Sequence, residues 1–508
     1  MDKNSLKYLW CTILALTVCT AVHVLAQTPA RMGPASADKI KKAKSTLEAN
    51  LNSFDAHSAY IYAMGMKNPD LFTQYEIWMK KYPENINIPL SIGTVYNKAA
   101  MPGAEFFLLK AAAMDSLNAK VWAMLASDAH AGGRSDLETE YWRKATLVEP
   151  SNASYAYGYL KTFENDEPDA YKKKVFDFVQ RFPTNEFGAH AMYRLAGHSP
   201  NLADEIHYLE VLRELYPPEK FTSTIPRLRR LADFYLQTDT EKALLLISEI
   251  DNGPDWTARK QLAELLIKVD KLEKDQNYRG ALAALDTVKL PGYNHIKDFI
   301  TLKKASLREQ TGDVRGAYDS LSVKFAKLPT DALYNALKSY GTKLGKSKEQ
   351  VVKDIEVIRD RTATTAYPFK LGLYTSNDSL DLSKLKGKVV LLTFWFPTCG
   401  PCLEEFPHFQ TVVDSFKGDS LVYIGINVTP AQDGFVLPFL KNRKFSFIPL
   451  RGSSSFAREN YGAYGAPVNF VIDKDGMIIF KSFTIGNRNL RTLELMISSL
   501  LEKESTKL

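Results

Sequence analysis

The sequence predicts two differently built parts in one chain: an α-helical repeat array over residues 30–361, followed by an α/β sandwich over residues 366–508. Three observations carry this. From about Asp38 to Arg361 the apolar residues recur at helical spacing with short Gly, Pro, Asn or Asp breaks, and strand-like alternation is rare. At "RDRTATTAYPFKL" small polar residues and Pro368 end that pattern and lead into stretches rich in Val, Ile and Phe. A length of 508 residues, 45% hydrophobic and 24% charged, supports more than one core.

The chain begins "MDKNSLKYLWCTILALTVCTAVHVLAQ", a short basic start and an apolar run from Tyr8 to Ala26. The small-residue end Val24-x-Ala26 fits a signal peptide over residues 1–26, cleaved before Gln27. Export, with the bacterial periplasm or cell envelope as destination, is the expectation. An uncleaved anchor and acylation at Cys19 are the alternatives, and only they would bring the protein to a membrane. The net charge of +7 falls to +6 when Asp2, Lys3 and Lys7 leave with the leader, and no long basic run accompanies it, so nucleic acid is not an expected partner.

Within the helical part, the clearest unit is "AKVWAMLASDAHAGGRSDLETEYWRKATLVEP". Trp122, Leu125, Ala126 and Ala129 share one helical face, Gly132-Gly133 turns, and Trp142 and Ala145 face back before Pro150. This resembles the tetratricopeptide repeat, in which small residues let two antiparallel helices approach while aromatic ones fill the gap. Glu138 stands where that pattern has a small residue. A degenerate copy precedes it, with Gly93, Tyr96 and Ala104 in comparable places. Tyr96, Trp122, Trp142, Tyr235 and Tyr318 are expected to be interhelix core. The resemblance implies a solenoid that presents a curved surface to a protein partner.

In the second part, "KVVLLTFWF" and "LVYIGINV" read as buried strands. "CLEEFPHFQTVVDSF" reads as an amphipathic helix interrupted by Pro407, and "VLPFLKNR" as a second helix. "PVNFVID" and "MIIFKSF", joined by "KDG", read as an antiparallel hairpin, and "LRTLELMISSLLEK" as a closing helix.

Cys11 and Cys19 lie in the leader, so Cys399 and Cys402 are the only cysteines of the mature chain. Closing a loop of two intervening residues removes little chain entropy, which makes redox chemistry a better reason for the pair than stabilisation. The pair follows a buried strand and opens a helix. Cys399 at a helix N-terminus is a thiolate position, because unpaired amides and the dipole favour the anion. Cys402, one turn on, is the resolving thiol, and Gly400 and Pro401 set the turn between them. The expected redox group is this dithiol itself, with no separate cofactor. No zinc spacing or phosphate-binding glycine loop occurs. A copper-binding third ligand is missing too, since the last histidine, His408, lies only six residues after Cys402.

These motifs, with "PFKL", "LDLSKLKGKVVLLTFWF", "CGPC", the Glu405 and Pro407 of "CLEEFP" and "YGAPVNFVIDKDG", resemble the thioredoxin family in its exported TlpA/ResA-like branch. The resemblance implies a thioredoxin fold and thiol-disulfide oxidoreductase activity on protein clients, supplied by an upstream electron donor. It implies that Pro467 follows a cis peptide bond near the cysteines, leaving the Ala466 backbone to pair with substrate. Trp395 is then a packing residue under the site, and Gly486 is the family's glycine after the last strand. Thioredoxin has a buried aspartate six residues before its first cysteine, where this chain has Thr393. The proton role falls instead to Glu405, as a carboxyl in a partly apolar pocket. Glu404 fits a solvated glutamate. Thr398 replaces a tryptophan common in relatives. Reduction is the expected direction. Oxidation, isomerisation, or a scaffold role of the helical array with the redox domain secondary are the other readings.

Overall fold

A computed structural model describes residues 34–250, 253–291, 295–416, 418 and 420–503. The signal peptide expected at residues 1–26 lies outside them. By compactness the chain divides into residues 1–128 and 129–508.

The first unit is helical, from Ala37–Ala49 to the first turns of Ala119–Ala131. Its core joins Tyr60, Tyr75, Trp78 and Phe107, packed edge to face. Gly93 allows close approach of the helices Asn87–Lys98 and Ala104–Met114, since a Cβ there would lie 2.8 Å from the Leu108 side chain. Tyr96 is buried beside it and donates to Met66 O. Trp122, expected in the core, is only part-buried because its indole N–H reaches Ser116 O at 2.9 Å.

The second unit opens with further helix pairs, from Ser135–Val148 to Lys348–Thr362. Tyr235 and Tyr318 are buried in it as expected. Trp142 is part-buried, against a Gly158 whose added Cβ would meet the indole at 2.7 Å. The change to strand comes between Thr362 and Thr364.

Among the described residues eight strands follow: β1 Thr364–Thr365, β2 Lys370–Gly372, β3 Ser379–Asp381, β4 Val389–Trp395, β5 Leu421–Asn427, β6 Ile448–Arg451, β7 Val468–Ile472 and β8 Met477–Lys481. The main sheet runs β1-β8-β7-β4-β5-β6, with β4, β5 and β6 parallel and β7, β8 and β1 antiparallel to their neighbours. Its centre, β5-β4-β7-β8, is the thioredoxin fold. All seven residues of β4 are buried. Val389, Leu391 and Trp395 face the helices Gly400–Ser415, Asp433–Arg443 and Leu490–Glu502, while Val390, Leu392 and Phe394 face the opposite core. The β2–β3 hairpin and the helix Ser454–Tyr461 were not foreseen, being too short to show a period.

Pro407 does not interrupt its helix, which runs unbroken from Gly400 to Ser415. The proline removes one backbone donor, and packing of Phe406, Phe409 and Val412 into the core outweighs that loss.

Within this unit the helical and α/β segments are joined by side chains as well as by the peptide. Asn442 donates to Gly132 O at 2.9 Å, and Glu138 pairs with His130 and Arg443. Lys503 pairs with Asp360 at 2.7 Å. Arg359 is buried at the end of the last helix, donating to Ala326 O and to Ser499 Oγ at 2.9 Å, with its guanidinium 4.8 Å from the Phe480 ring centre. Burial lowers its pKa to about 10. Arg359→Ala is expected to cost the full-length protein roughly 2–4 kcal/mol in chemical denaturation, from lost hydrogen bonds and cation–π contact.

Candidate active site

β4 ends at Trp395, and the chain enters the helix Gly400–Ser415 with Cys399 at the N-cap. Cys399 Sγ accepts from the Cys402 N–H at 3.3 Å, as an anion at a helix N-terminus would. The two cysteines form a disulfide with Cα atoms 5.3 Å apart. Cys399 is 3% exposed and Cys402 fully buried, while Gly400 and Pro401 lie at the surface. Trp395 lies in the core beneath, edge-on to Phe406 and Phe447, both at 5.2 Å.

Glu405 is 5% exposed on the same helix. Its Oε1 accepts from the Ile485 N–H and its Oε2 from Asn469 Nδ2, each at 2.8 Å. Burial pushes its pKa up to about 7, the Glu404 charge adds to this, and the two hydrogen bonds oppose it. A carboxyl held near neutrality, and bonded to the backbone of Ile485 in the apolar cluster that contains both cysteines, suits proton exchange at physiological pH. Glu404, expected in solvent, is 58% exposed but also receives Arg194 Nη1 at 2.8 Å.

The Ala466–Pro467 bond is cis. Ala466 packs against the apolar cluster that includes both cysteines. The Gly486 N–H is held by Asn489 Oδ1 at 2.7 Å. Thr393 is fully buried opposite Asn469, and its hydroxyl has no hydrogen-bond partner.

Two residues were missed in the sequence. Asn469, fully buried on β7, donates to both Glu405 and Phe483 O. Its signal was present as the one polar residue inside "VNFVI". Gln432 accepts from the Thr398 N–H at 3.1 Å and donates to Thr398 Oγ1 at 2.8 Å, which fixes the residue before Cys399. It lies 34 residues away, at the end of the short 3-10 helix Pro430–Gln432, and carried no local signal. The adjacent Asp433 takes Asn427 Nδ2, Arg451 Nη1 and the Tyr374 hydroxyl, which anchors this end of the sheet. Among the described residues no group of three or more His, Cys, Asp or Glu side chains is arranged to hold a metal ion.

Because its folded pKa lies above the ordinary 4.5, Glu405 keeps its proton in the folded protein after the unfolded chain has lost it. Stability of the oxidised wild type is therefore expected to fall between about pH 4.5 and 7, by up to ~3 kcal/mol relative to Glu405→Gln, which lacks this titration. Denaturant titrations of both proteins across that window measure it. Thr393→Val keeps the shape and removes an unpartnered hydroxyl, so it is expected to raise stability by about 1 kcal/mol and leave the pH profile of thiol exchange unchanged.

Residues 361–493 match the Redoxin family. Among curated proteins, the thiol-disulfide oxidoreductase ResA of Bacillus subtilis is 29% identical over 105 residues, covering 21% of this chain and 58% of ResA. Sporulation thiol-disulfide oxidoreductase A of Bacillus subtilis is 28% identical over 95 residues, covering 18% of this chain and 58% of that one. The chain thus spans less than two thirds of the length of these relatives. Among solved structures, a thiol:disulfide interchange protein of the thioredoxin family from Chlorobium tepidum is 23% identical, with 27% of this chain and 97% of that one covered and a TM-score of 0.24. The stretch that matches the Redoxin family holds Cys399, Cys402, Glu405, Pro467 and Asn469.

Proposed function

We propose that the protein is an exported thiol-disulfide oxidoreductase that reduces protein disulfides through Cys399 and Cys402. The observation that carries this is the joint placement of Cys399 at a helix N-cap and of a buried, near-neutral Glu405 on the same helix. The names of the relatives and the Redoxin match over these residues support it.

In the reduced protein the Cys399 thiolate attacks a client disulfide, forms a mixed disulfide and expels one client thiolate. Cys402 gives its thiol proton to Glu405 and attacks Cys399 Sγ. The second client thiolate leaves, and the Cys399–Cys402 disulfide described above remains. An upstream dithiol donor returns two electrons to it. The dithiol carries the redox equivalents without a separate cofactor. Ala466, beside the cis Pro467, offers its backbone to an extended client segment. Trp395, Gly400, Pro401 and Pro407 hold the cysteine turn on its core. In this reading residues 1–26 are a leader, residues 30–361 a client-facing helical region and residues 366–508 the redox domain.

Cys402→Ser in the exporting host leaves the mixed disulfide unresolved, so client proteins should accumulate covalently on Cys399. Non-reducing gels and mass spectrometry would detect them. Absence of any captured protein, together with no disulfide-reducing activity of the wild type, would sink the proposal. A reductase should also have a potential nearer to thioredoxin's ~−270 mV than to DsbA's ~−120 mV. A value near the latter would reverse the assigned direction.

A further inference from the structure

The helices Glu186–Gly197 and Leu202–Leu215 pack against each other and reach the α/β segment at two points that bracket Glu405. At the first, Arg194 binds Glu164 through Nε and Nη2 and donates from Nη1 to Glu404 Oε1 at 2.8 Å. Burial disfavours the Arg194 charge, but the Glu164 and Glu404 carboxylates outweigh it, so this arginine is held firmly cationic. At the second, the fully buried Glu205 sets one carboxylate oxygen against Arg230 Nε and the other against Arg488 Nη1.

Arg488 lies three residues beyond Ile485, whose N–H is one of the two donors to Glu405. Between them the loop is closed on itself, with the Gly486 N–H on Asn489 Oδ1 and Asn489 Nδ2 on Thr484 O, both within 2.8 Å. These bonds tie Thr484 and Gly486, on either side of Ile485, to Asn489, and Glu205 faces Arg488 in the same loop. Glu405 is thus approached from β7 by Asn469, from this loop by the Ile485 amide, from its own helix by Glu404 and from β5 by the Tyr423 phenol. Of these, Glu404 carries the charge, and Arg194 neutralises it.

We infer that Arg194 and Glu205 are positioning residues for Glu405, through which the helical segment tunes the base of the redox site. The inference rests on the reading of Glu405 as the acceptor of the Cys402 proton. Arg194 acts through charge, by screening Glu404 from Glu405. Glu205 acts through position, by holding the Ile485 amide against the carboxylate. Loss of either makes the carboxylate harder to ionise, because a buried anion then faces an unscreened like charge or loses a donor.

Single-turnover reaction of the reduced full-length protein with 5,5′-dithiobis(2-nitrobenzoate) tests this. Cys399 attacks the probe disulfide and expels one thionitrobenzoate. Cys402 then loses its proton to Glu405, attacks Cys399 Sγ and expels the second, so the probe is reduced to two thiolates as the protein dithiol becomes a disulfide. The rate of the second release should rise with pH as Glu405 ionises. In Arg194→Gln the midpoint of that rise should move up by roughly half a pH unit. Arg194→Lys, which keeps the charge, should restore the wild-type midpoint, a rescue that loss of packing alone would not produce. Glu205→Gln should shift the midpoint in the same direction, and if that variant does not fold, Arg194→Gln decides. A wild-type midpoint in Arg194→Gln, with the rise still absent from Glu405→Gln, overturns the inference and leaves the proposed function standing. A rise that persists unchanged in Glu405→Gln overturns the assignment of Glu405 as proton acceptor and the inference that rests on it, and leaves the dithiol chemistry of the proposed function standing.

Discussion

β4 has no solvent face. Its side chains fill two cores in alternation, and its backbone is hydrogen-bonded to β5 on one side and β7 on the other, so the strand has no freedom to shift register without turning each side chain into the wrong core. Everything the site requires is placed from its end. Trp395 closes one core under the cysteine turn, Cys399 starts the next helix, and Asn469 is brought opposite Thr393 by the β4–β7 pairing. The cysteine pair is held in place by a strand that contributes no cysteine of its own.

Glu405 illustrates how opposing terms leave a group titrating where it is useful. Taken into the core with no partner, a carboxyl would stay protonated far above neutrality. With several donors it would stay ionised. Two donors, Asn469 Nδ2 and the Ile485 amide, offset part of the desolvation and leave the group near pH 7. Thr393, at the position where thioredoxin has its aspartate, contributes neither charge nor hydrogen bond.

Much of this was legible because the signals were local. The seven-residue apolar run of β4, the C-x-x-C after it, the Asp-Gly turn before β8 and the Ala466–Pro467 dipeptide each carry their information within a few residues. Pro407 misled because a proline's effect on a helix is set by the apolar residues around it, and Phe406 and Phe409 keep the helix whole. Asn469 was readable as a polar residue in a buried strand. Gln432, Arg194 and Glu205 were not, since each acts on a residue at least 34 positions away and looks like any surface polar residue in its own helix or loop. Glu138 lies between these cases. It was visible as a misfit to the repeat, and the misfit turns out to be where His130 and Arg443 meet it.

Only Ala363 separates the last helix, ending at Thr362, from β1, beginning at Thr364. A one-residue junction has no distribution of lengths, unlike a flexible linker whose reach grows with the square root of its length. For a client held on residues 129–362, as proposed above, the effective concentration of its disulfide at Cys399 would be high when its spacing from the point of attachment matches and nil when it does not. Under the proposed function the helical segment would act as a ruler, with selection among clients set by distance along the client chain as well as by surface chemistry.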